Sequence, residues 1–420
     1  MSFESLGLSP ALVRAVGLLG FDAPTAVQAQ AIPVALQGAD VLAQAQTGSG
    51  KTVAFALPLL ERLLSAPAHT PRRVRALVLV PTRELAAQVG EVVRSLAQHL
   101  PQALKVAVLF GGVSVNPQMM GLRGGADVVV ATPGRLLDLL AHNALRLSAV
   151  QMLVLDEADR MLDLGFADEV GQLLALLPAH RQNLFFSATL GPPVQALATT
   201  LLRAPVHLEV LDTPVDQPVI TQQVFLVDAG RRTELLRQLI REHGWSRVLV
   251  FVATQYAAQH VAWKLYKSGL FATPFHGGMS QGARTQVLCE FKAGQWDVLV
   301  TTDLAARGID IAQLPVVVNY DLPRSATGYV HRIGRTGRAG ESGLAVSFVS
   351  AQTEAHFRLI ETRQHMVLPR EQAPGFEPVE QAAPVVDLAP VPGTGGVKGK
   401  RPSKKDKLRA AAARAAATPQ

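Results

Sequence analysis

The chain has a single cysteine, Cys289, among its 420 residues. One thiol closes no internal disulfide and builds no cysteine metal cluster, so the expected setting is a reducing one, the cytoplasm. No run approaches the roughly 18 uncharged apolar residues that a membrane-spanning helix needs, and no membrane association is expected. The opening residues, Met1-Ser2-Phe3-Glu4-Ser5-Leu6, lack a basic segment followed by an apolar one, so no secretory leader is expected either. The body also lacks excess charge. The net charge is +7, yet residues 391–420 hold eight cations (Lys398, Lys400, Arg401, Lys404, Lys405, Lys407, Arg409, Arg414) against Asp406. Residues 1–390 therefore balance to zero, and any surface for a polyanion on the body must come from local placement of charge.

What is present is a soluble composition, 48% hydrophobic and 17% charged, long enough for two or three separate cores. Continuous apolar runs recur: 41–43, 75–80, 105–109, 127–130, 152–155 and 184–186, then 248–252, 297–300, 316–319 and 344–348. Runs of this kind read as parallel strands covered on both faces. Helical patterns lie between them. In the first, Ser9 can cap, Pro10 sits at N1, Leu12, Val13, Val16 and Leu19 form a stripe, and Gly20 stops it. This alternation predicts an α/β fold of two doubly wound parallel-sheet domains, residues 1–210 and 220–368. Residues 211–219, with two prolines and no periodicity, read as the hinge. Residues 369–420 turn Pro/Ala-rich and then Lys/Arg-rich, the composition of a disordered tail.

Three short segments carry chemistry. Ala45-Gln46-Thr47-Gly48-Ser49-Gly50-Lys51-Thr52 follows a strand and precedes a helix. Gly48 and Gly50 let the backbone turn its N–H groups towards phosphate, Lys51 is the cation, and Thr52 can ligate Mg²⁺. The alternative is a Gly/Ser turn before a core helix. Asp156-Glu157-Ala158-Asp159 ends a strand, where a carboxylate faces the ligand crevice of such a sheet. Asp156 could hold Mg²⁺ and Glu157 could orient the attacking water; the alternative is an acidic helix start favoured by the helix dipole. His331-Arg332-Ile333-Gly334-Arg335-Thr336-Gly337-Arg338 spaces arginines to reach a triphosphate from across a cleft, unless it is a solvated basic loop.

Together these segments resemble the DEAD-box ATP-dependent RNA helicases of superfamily 2 over residues 1 to about 350. The other motifs recur in order: Phe3 ahead of Gly20-Phe21-Asp22-Ala23-Pro24-Thr25-Ala26-Val27-Gln28, Pro81-Thr82-Arg83-Glu84-Leu85-Ala86, Gly111-Gly112, Thr132-Pro133-Gly134-Arg135 and Ser187-Ala188-Thr189. The second half adds Val250–Thr254, His276-Gly277-Gly278 with Arg284, and Thr301-Thr302-Asp303 leading to Arg307-Gly308-Ile309-Asp310. The compact body and short basic tail look most like the RhlE-type members.

The resemblance implies tandem RecA-like domains that bind ATP and Mg²⁺ and take RNA as partner. Gln28 would read the adenine, Phe21 would stack on it, and Thr25 would help position the loop. Gln46, Thr47, Gly48, Ser49, Gly50, Lys51 and Thr52 would hold the phosphates, with Gly308 and Asp310 near the ribose. Lys51, Asp156, Glu157, Arg335 and Arg338 would form the catalytic set, the two arginines as fingers. Asp159, Ser187, Thr189 and His331 would couple ATP state to domain closure. RNA would run past Arg83, Gly112, Thr132, Arg135, Thr254, Gly277, Arg284, Thr301 and Arg307. Ala253 departs from the Asn common in the family. Other readings stay open: Arg83 and Arg135 as helix-terminus salt bridges, Phe3 as packing on Leu6 or Leu12, and His276 as structural. A DNA translocase of the same superfamily and an ATP-gated RNA clamp are the competing functions. Ribosomal particles or RNA-decay proteins are the expected wider partners, with the chain itself a monomer.

Overall fold

The structure is a computed structural model, and it describes residues 2–46, 48–67, 69–210, 220–306, 314–337 and 342–380. The apolar runs become strands where expected. The first half holds β1 (Val41–Gln44), β2 (Ala76–Leu79), β3 (Val106–Leu109), β4 (Val128–Ala131), β5 (Met152–Leu155), β6 (Gln182–Ser187) and β7 (Val206–Glu209). The second holds β8 (Ile220–Leu226), β9 (Val248–Val252), β10 (Ala272–Phe275), β11 (Val298–Thr302), β12 (Val316–Asn319), β13 (Gly343–Val349) and β14 (Arg370–Glu371). Every pairing between them is parallel. The orders are β3-β4-β2-β5-β6-β1-β7 and β10-β11-β9-β12-β13-β8-β14. Raising each number of the first by seven gives the second, so one doubly wound frame is built twice, as expected for tandem RecA-like domains.

Period-two alternation splits each sheet's side chains between two cores. Val41, Ala43, Val78, Val130 and Val154 face one; Leu42, Leu77, Val129, Leu153 and Phe185 face the other. In the second sheet Val248, Val250 and Val252 oppose Leu249 and Phe251. The first helix spans Pro10–Leu18 and buries Leu12, Ala15 and Val16. Ser9 sits at its N-cap but its side chain caps nothing. Its backbone N–H donates instead to Glu61 Oε2 at 2.9 Å, tying this helix to the one over Lys51–Leu64.

Four strands had no signal. β7 is a largely exposed edge carrying His207 and Glu209. β8 opens with Ile220-Thr221-Gln222-Gln223. β10 contains Pro274, tolerated because β10 is an edge strand. β14 is only two residues long, yet it corrects the expected start of the tail at residue 369. Arg370–Glu371 pairs with β8, and Ala373 and Phe376 are buried beyond it. Arg231 lies 4.4 Å over the Phe376 ring, and the Asp228 carboxylate accepts the Val379 and Glu380 N–H groups at 3.0 and 3.1 Å. Two spaced apolar anchors and a carboxylate clamp hold a segment too polar to read as structured. The expected hinge, 211–219, and residues 381–420 lie outside the described residues. No described helix is long and apolar enough to cross a membrane.

Candidate active site

β1 leads directly into the glycine-rich loop. Gly48 and Gly50 have φ of 89° and 93°, in the left-handed region. Gly50 is the N-cap of the helix over Lys51–Leu64, so the loop closes on a helix N-terminus. A Cβ on Gly50 would lie 2.5 Å from Gln28 Nε2 and 2.9 Å from Thr25 Oγ1. Gln28, 3% exposed, is what crowds it. Its Oε1 accepts from the Thr25 N–H at 2.9 Å and its Nε2 donates to the Gly50 carbonyl at 3.1 Å. Both bonds serve the loop and the turn before it, where the resemblance implies adenine recognition. Lys51 is buried and donates through Nζ to the Ala45 carbonyl at 3.0 Å, curling back along the loop. Ser49 Oγ donates to the Gln46 carbonyl at 2.8 Å. Thr52 is half-buried one residue into the helix, and Phe21 packs half-buried at the edge of the core. Thr47 lies outside the described residues.

β5 ends at the C-terminal edge of the first sheet and presents Asp156 and Glu157 there. Asp156 is 2% exposed. Burial raises its pKa to about 6, opposed by the Lys51 charge and reinforced by Glu157. Its Oδ1 accepts from the Glu157 N–H at 2.9 Å. Glu157 holds φ 52° and ψ 49°, a left-handed conformation costing a residue with a Cβ about 1–2 kcal/mol. Its Oε2 accepts from Arg160 Nη1 at 2.9 Å, and both side chains are buried. Arg160 was not singled out from the sequence. Its signal was its place three residues on, one turn along the helix that Glu157 begins.

Asp159, Ser187 and Thr189 form a closed network. Asp159 Oδ2 accepts from the Thr189 N–H and Oγ1, each at 3.0 Å. The Asp159 N–H donates to Ser187 Oγ at 3.3 Å, and Ser187 Oγ donates to the Thr189 carbonyl at 2.7 Å. His331 reaches this helix from the second half. Burial, then the Arg160 charge, lowers its pKa; Asp159 pulls the other way, Arg335 lowers it further, and Glu157 raises it. Among the described hydrogen bonds Ser187 and Thr189 bind Asp159 and each other, not His331.

A cavity of about 130 Å³ lies between the halves, with Arg160 and Asp163 on one wall and Asp303, His331, Arg332 and Arg335 on the other. Arg332 and Arg335 are 3% and 7% exposed, so these two do not sit in a solvated loop. Arg332 is spent inside its own half. It binds both Asp303 carboxylate oxygens at 2.5 and 2.7 Å, Asn319 Oδ1 at 3.1 Å and the Asp321 carbonyl at 2.6 Å. Arg307, Gly308, Asp310 and Arg338 lie outside the described residues.

The expected RNA-contact residues divide. Thr82 caps the helix that Arg83 opens, and a Cβ on Gly112 would sit 2.1 Å from Arg83 Nη2, so the guanidinium lies flat on that glycine. Arg135 is buried at the start of helix 133–141, donates to the Val113 carbonyl at 2.7 Å and lies 3.4 Å from Asp138. Its Nη1 is buried without a hydrogen-bond partner, so these local contacts take up only part of the guanidinium. Thr132 is the buried N-cap of that helix. Thr254 caps helix 255–267, with Gly277 beside Gln255. Thr301 departs from expectation: it is fully buried within β11 and its hydroxyl donates to the Thr302 carbonyl. Arg284 departs too. It is 6% exposed, stacks over Phe275 at 4.8 Å and pairs at 3.1 Å with Glu84 of the first half. Gln281 Nε2 also donates to Glu84, at 3.3 Å. Burial lowers the Arg284 pKa, with Glu84 opposing.

Comparisons with known proteins bear on the same segments. A family model described as DEAD/DEAH box helicase matches residues 25–197, and one described as helicase conserved C-terminal domain matches residues 231–340. The DEAD-box ATP-dependent RNA helicase CshA of Bacillus cereus is 39% identical over 376 residues, covering 90% of this chain and 70% of its own. The ATP-dependent RNA helicase DeaD of Mycobacterium tuberculosis is 40% identical over 378 residues, covering 90% and 66%. Among solved structures, S. cerevisiae Dbp5 bound to RNA and ADP BeF3 superposes with a TM-score of 0.77 at 32% identity, over 88% of this chain and 95% of that one. Mss116p bound to ssRNA and AMP-PNP gives 0.77 at 29%, over 88% and 78%.

Proposed function

The chain belongs to the DEAD-box ATP-dependent RNA helicases, and on that footing we propose which of its residues carry out RNA-stimulated ATP hydrolysis and the local opening of short RNA duplexes. The cavity between the halves carries the reading: Arg160, bonded to Glu157, faces His331 and Arg335 across it. Arg160, held by a carboxylate suited to water activation, and Arg335, a guanidinium suited to phosphoryl charge, line this one cavity from separate halves, which supports the reading.

In this reading the loop N–H groups and helix N-terminus receive the triphosphate, with Gln28 bracing Gly50 from behind. Lys51 leaves the Ala45 carbonyl for the outer phosphates. Mg²⁺ fits the donor set present. Asp156 is a buried carboxylate whose charge lacks solvent, and Thr52 lies in the first turn of the adjacent helix. No cluster of three or more His, Cys, Asp or Glu among the described residues could hold an ion alone, which suits an ion that keeps waters and substrate phosphates as ligands. Asp156 and Thr52 would hold it, and when bound it neutralises phosphate charge. Glu157 orients the attacking water. Arg335 and Arg338 stabilise the transferring phosphoryl group, and Gly308 and Asp310 meet the ribose. Asp159, held by Ser187 and Thr189 and approached by His331, passes the nucleotide state to the second half.

RNA is the polyanion partner, gripped by backbone near Arg83, Gly112, Thr254, Gly277 and Arg307. Recognition through phosphates and 2′-hydroxyls gives little sequence preference. We assign residues 1–210 and 220–380 to the two working bodies, a cytoplasmic location and a monomeric state, with ribosomal particles or RNA-decay proteins as the wider setting. The test is strand separation of a short RNA duplex with ATP and with a non-hydrolysable analogue, beside a Lys51→Ala control. ATP-dependent unwinding lost in the control is expected. ATP hydrolysis that ignores RNA, or answers equally to DNA, would sink the assignment.

A further inference from the structure

Helix 255–267 packs on the second sheet through Ala258, Val261, Ala262 and Leu265. The opposite face of such a helix is ordinarily polar. Here it carries Tyr256, His260, Trp263 and Lys267, spaced i, i+4, i+7 and i+11, which lines them up in one ridge. Tyr256 and Trp263 are 74% and 56% exposed, and Tyr266 beside them is 55% exposed. The whole chain has four tyrosines and three tryptophans, so three of the seven stand in the open on one helix. Single exposed apolar residues need no explanation, but a contiguous patch does.

The rings are already ordered. Tyr256 and His260 stack with centroids 5.6 Å apart and planes within 10°. The Lys267 ammonium lies 5.9 Å from the Trp263 ring centre. Charge on the helix has one sign: it contains no Asp or Glu, and Lys264 and Lys267 occupy its last turn. The carboxylate beside it, Glu234, lines a cavity of about 210 Å³ together with Lys264 and Arg237. The helix also begins beside the turn that leads to Gln281 and Arg284, which touch Glu84 of the first half. Thr254 caps it, and Gln255 Oε1 would sit 2.7 Å from a Cβ on Gly278, against the Gly277-Gly278 turn. From there the ridge runs about 16 Å outward at 1.5 Å per residue.

We propose that this ridge is a stacking platform for single-stranded RNA leaving the cleft, a binding site beyond those assigned above and resting on the helicase reading. Flat π-faces interleaved with cations match bases and phosphates in alternation, independent of sequence. The absence of carboxylates favours a polyanion, and the start beside Thr254 and Gly277 makes the ridge a continuation of the RNA track.

The experiment uses the full chain with Tyr256 and Trp263 both changed to alanine, and Trp263→Phe as the conservative control. RNA-stimulated ATPase is titrated with single strands of about six and about twenty nucleotides, shorter and longer than the cleft alone would occupy. The double variant should need about thirtyfold more of the long strand for half-maximal stimulation, the effect of losing two modest stacking contacts. It should match the parent on the short strand and in turnover at saturating RNA, which shows the fold intact. Trp263→Phe should stay near the parent on both. Equal half-maximal concentrations for parent and double variant on the long strand would overturn the proposal, as they would if the ridge served a protein. Hydrolysis in the parent that ignores both strands would instead remove the helicase reading beneath it.

Discussion

At Gly50 three demands meet on one backbone position: a left-handed φ of 93°, the start of a helix, and the Gln28 amide pressed against it. Gly50→Ala should therefore weaken nucleotide binding and lower the melting temperature. The backbone term alone is about 1–2 kcal/mol, before the 2.5 Å approach to Gln28 is relieved; nucleotide titration and thermal unfolding read the two effects separately. Two histidines, His276 buried and His331 half-buried, give a contribution to pH dependence of known sign. Burial, then Arg160, depresses the His331 pKa below 6.5; burial, then Arg284, does the same to His276. Between those lowered values and 6.5 the unfolded chain holds more protons than the folded one, so stability rises with pH there and is lost as pH falls. Asp156, whose pKa burial raises to about 6, works in the opposite sense over the same range, so the histidine effect is read as a difference: His331→Asn should lose less melting temperature than the parent as pH falls below about 7; a His331→Asn slope equal to the parent's would count against it. The phosphate loop was legible because its parts are contiguous. The ion pair of Glu84 with Arg284 was not, because partners two hundred residues apart leave no local pattern. Burial was equally hidden: nothing in TPGR or in Thr301-Thr302 tells whether a side chain points to solvent or into the sheet.

Among the elements, helix 83–98 shows how a glycine can be required where helix propensity argues against it. Gly90 sits mid-helix, where alanine would ordinarily gain about 1 kcal/mol. A Cβ there would lie 2.2 Å from Val108 Cγ2 on edge strand β3. Val108 is β-branched and cannot swing aside cheaply. The clash should win, and Gly90→Ala should destabilise the first half by about 1–3 kcal/mol, with Val108→Ala restoring part of the loss in the double variant. Denaturant melts of the three proteins decide it; a more stable Gly90→Ala would show that propensity dominates. The inner strands were readable as apolar runs because both faces are covered. β7, β8, β10 and β14 sit at or near the sheet edges, where half-buried polar residues suffice and the pattern dissolves.

For the molecule as a whole, Glu84 and Arg284 form an ion pair that spans the two halves, with 10% and 8% side-chain exposure. Glu84→Ala would leave Arg284 buried without its counter-ion whenever the halves meet, so the penalty falls on closure rather than on either body. Where ATP and RNA both favour closure, as proposed, linkage has each raise the other's affinity by one common factor. That factor should shrink in Glu84→Ala, while the binding of nucleotide alone changes little; equilibrium titrations of each ligand with and without the other measure it, and an undiminished factor would refute the role. The repeated strand order has a further consequence. Among the described residues each sheet buries its own two faces and borrows no strand from the other. A chain severed between Val210 and Ile220 would yield two separately folded fragments, and its turnover would become bimolecular. The rate would then climb with the product of the two fragment concentrations and vanish on dilution, which would turn the meeting of the halves into a quantity that can be titrated.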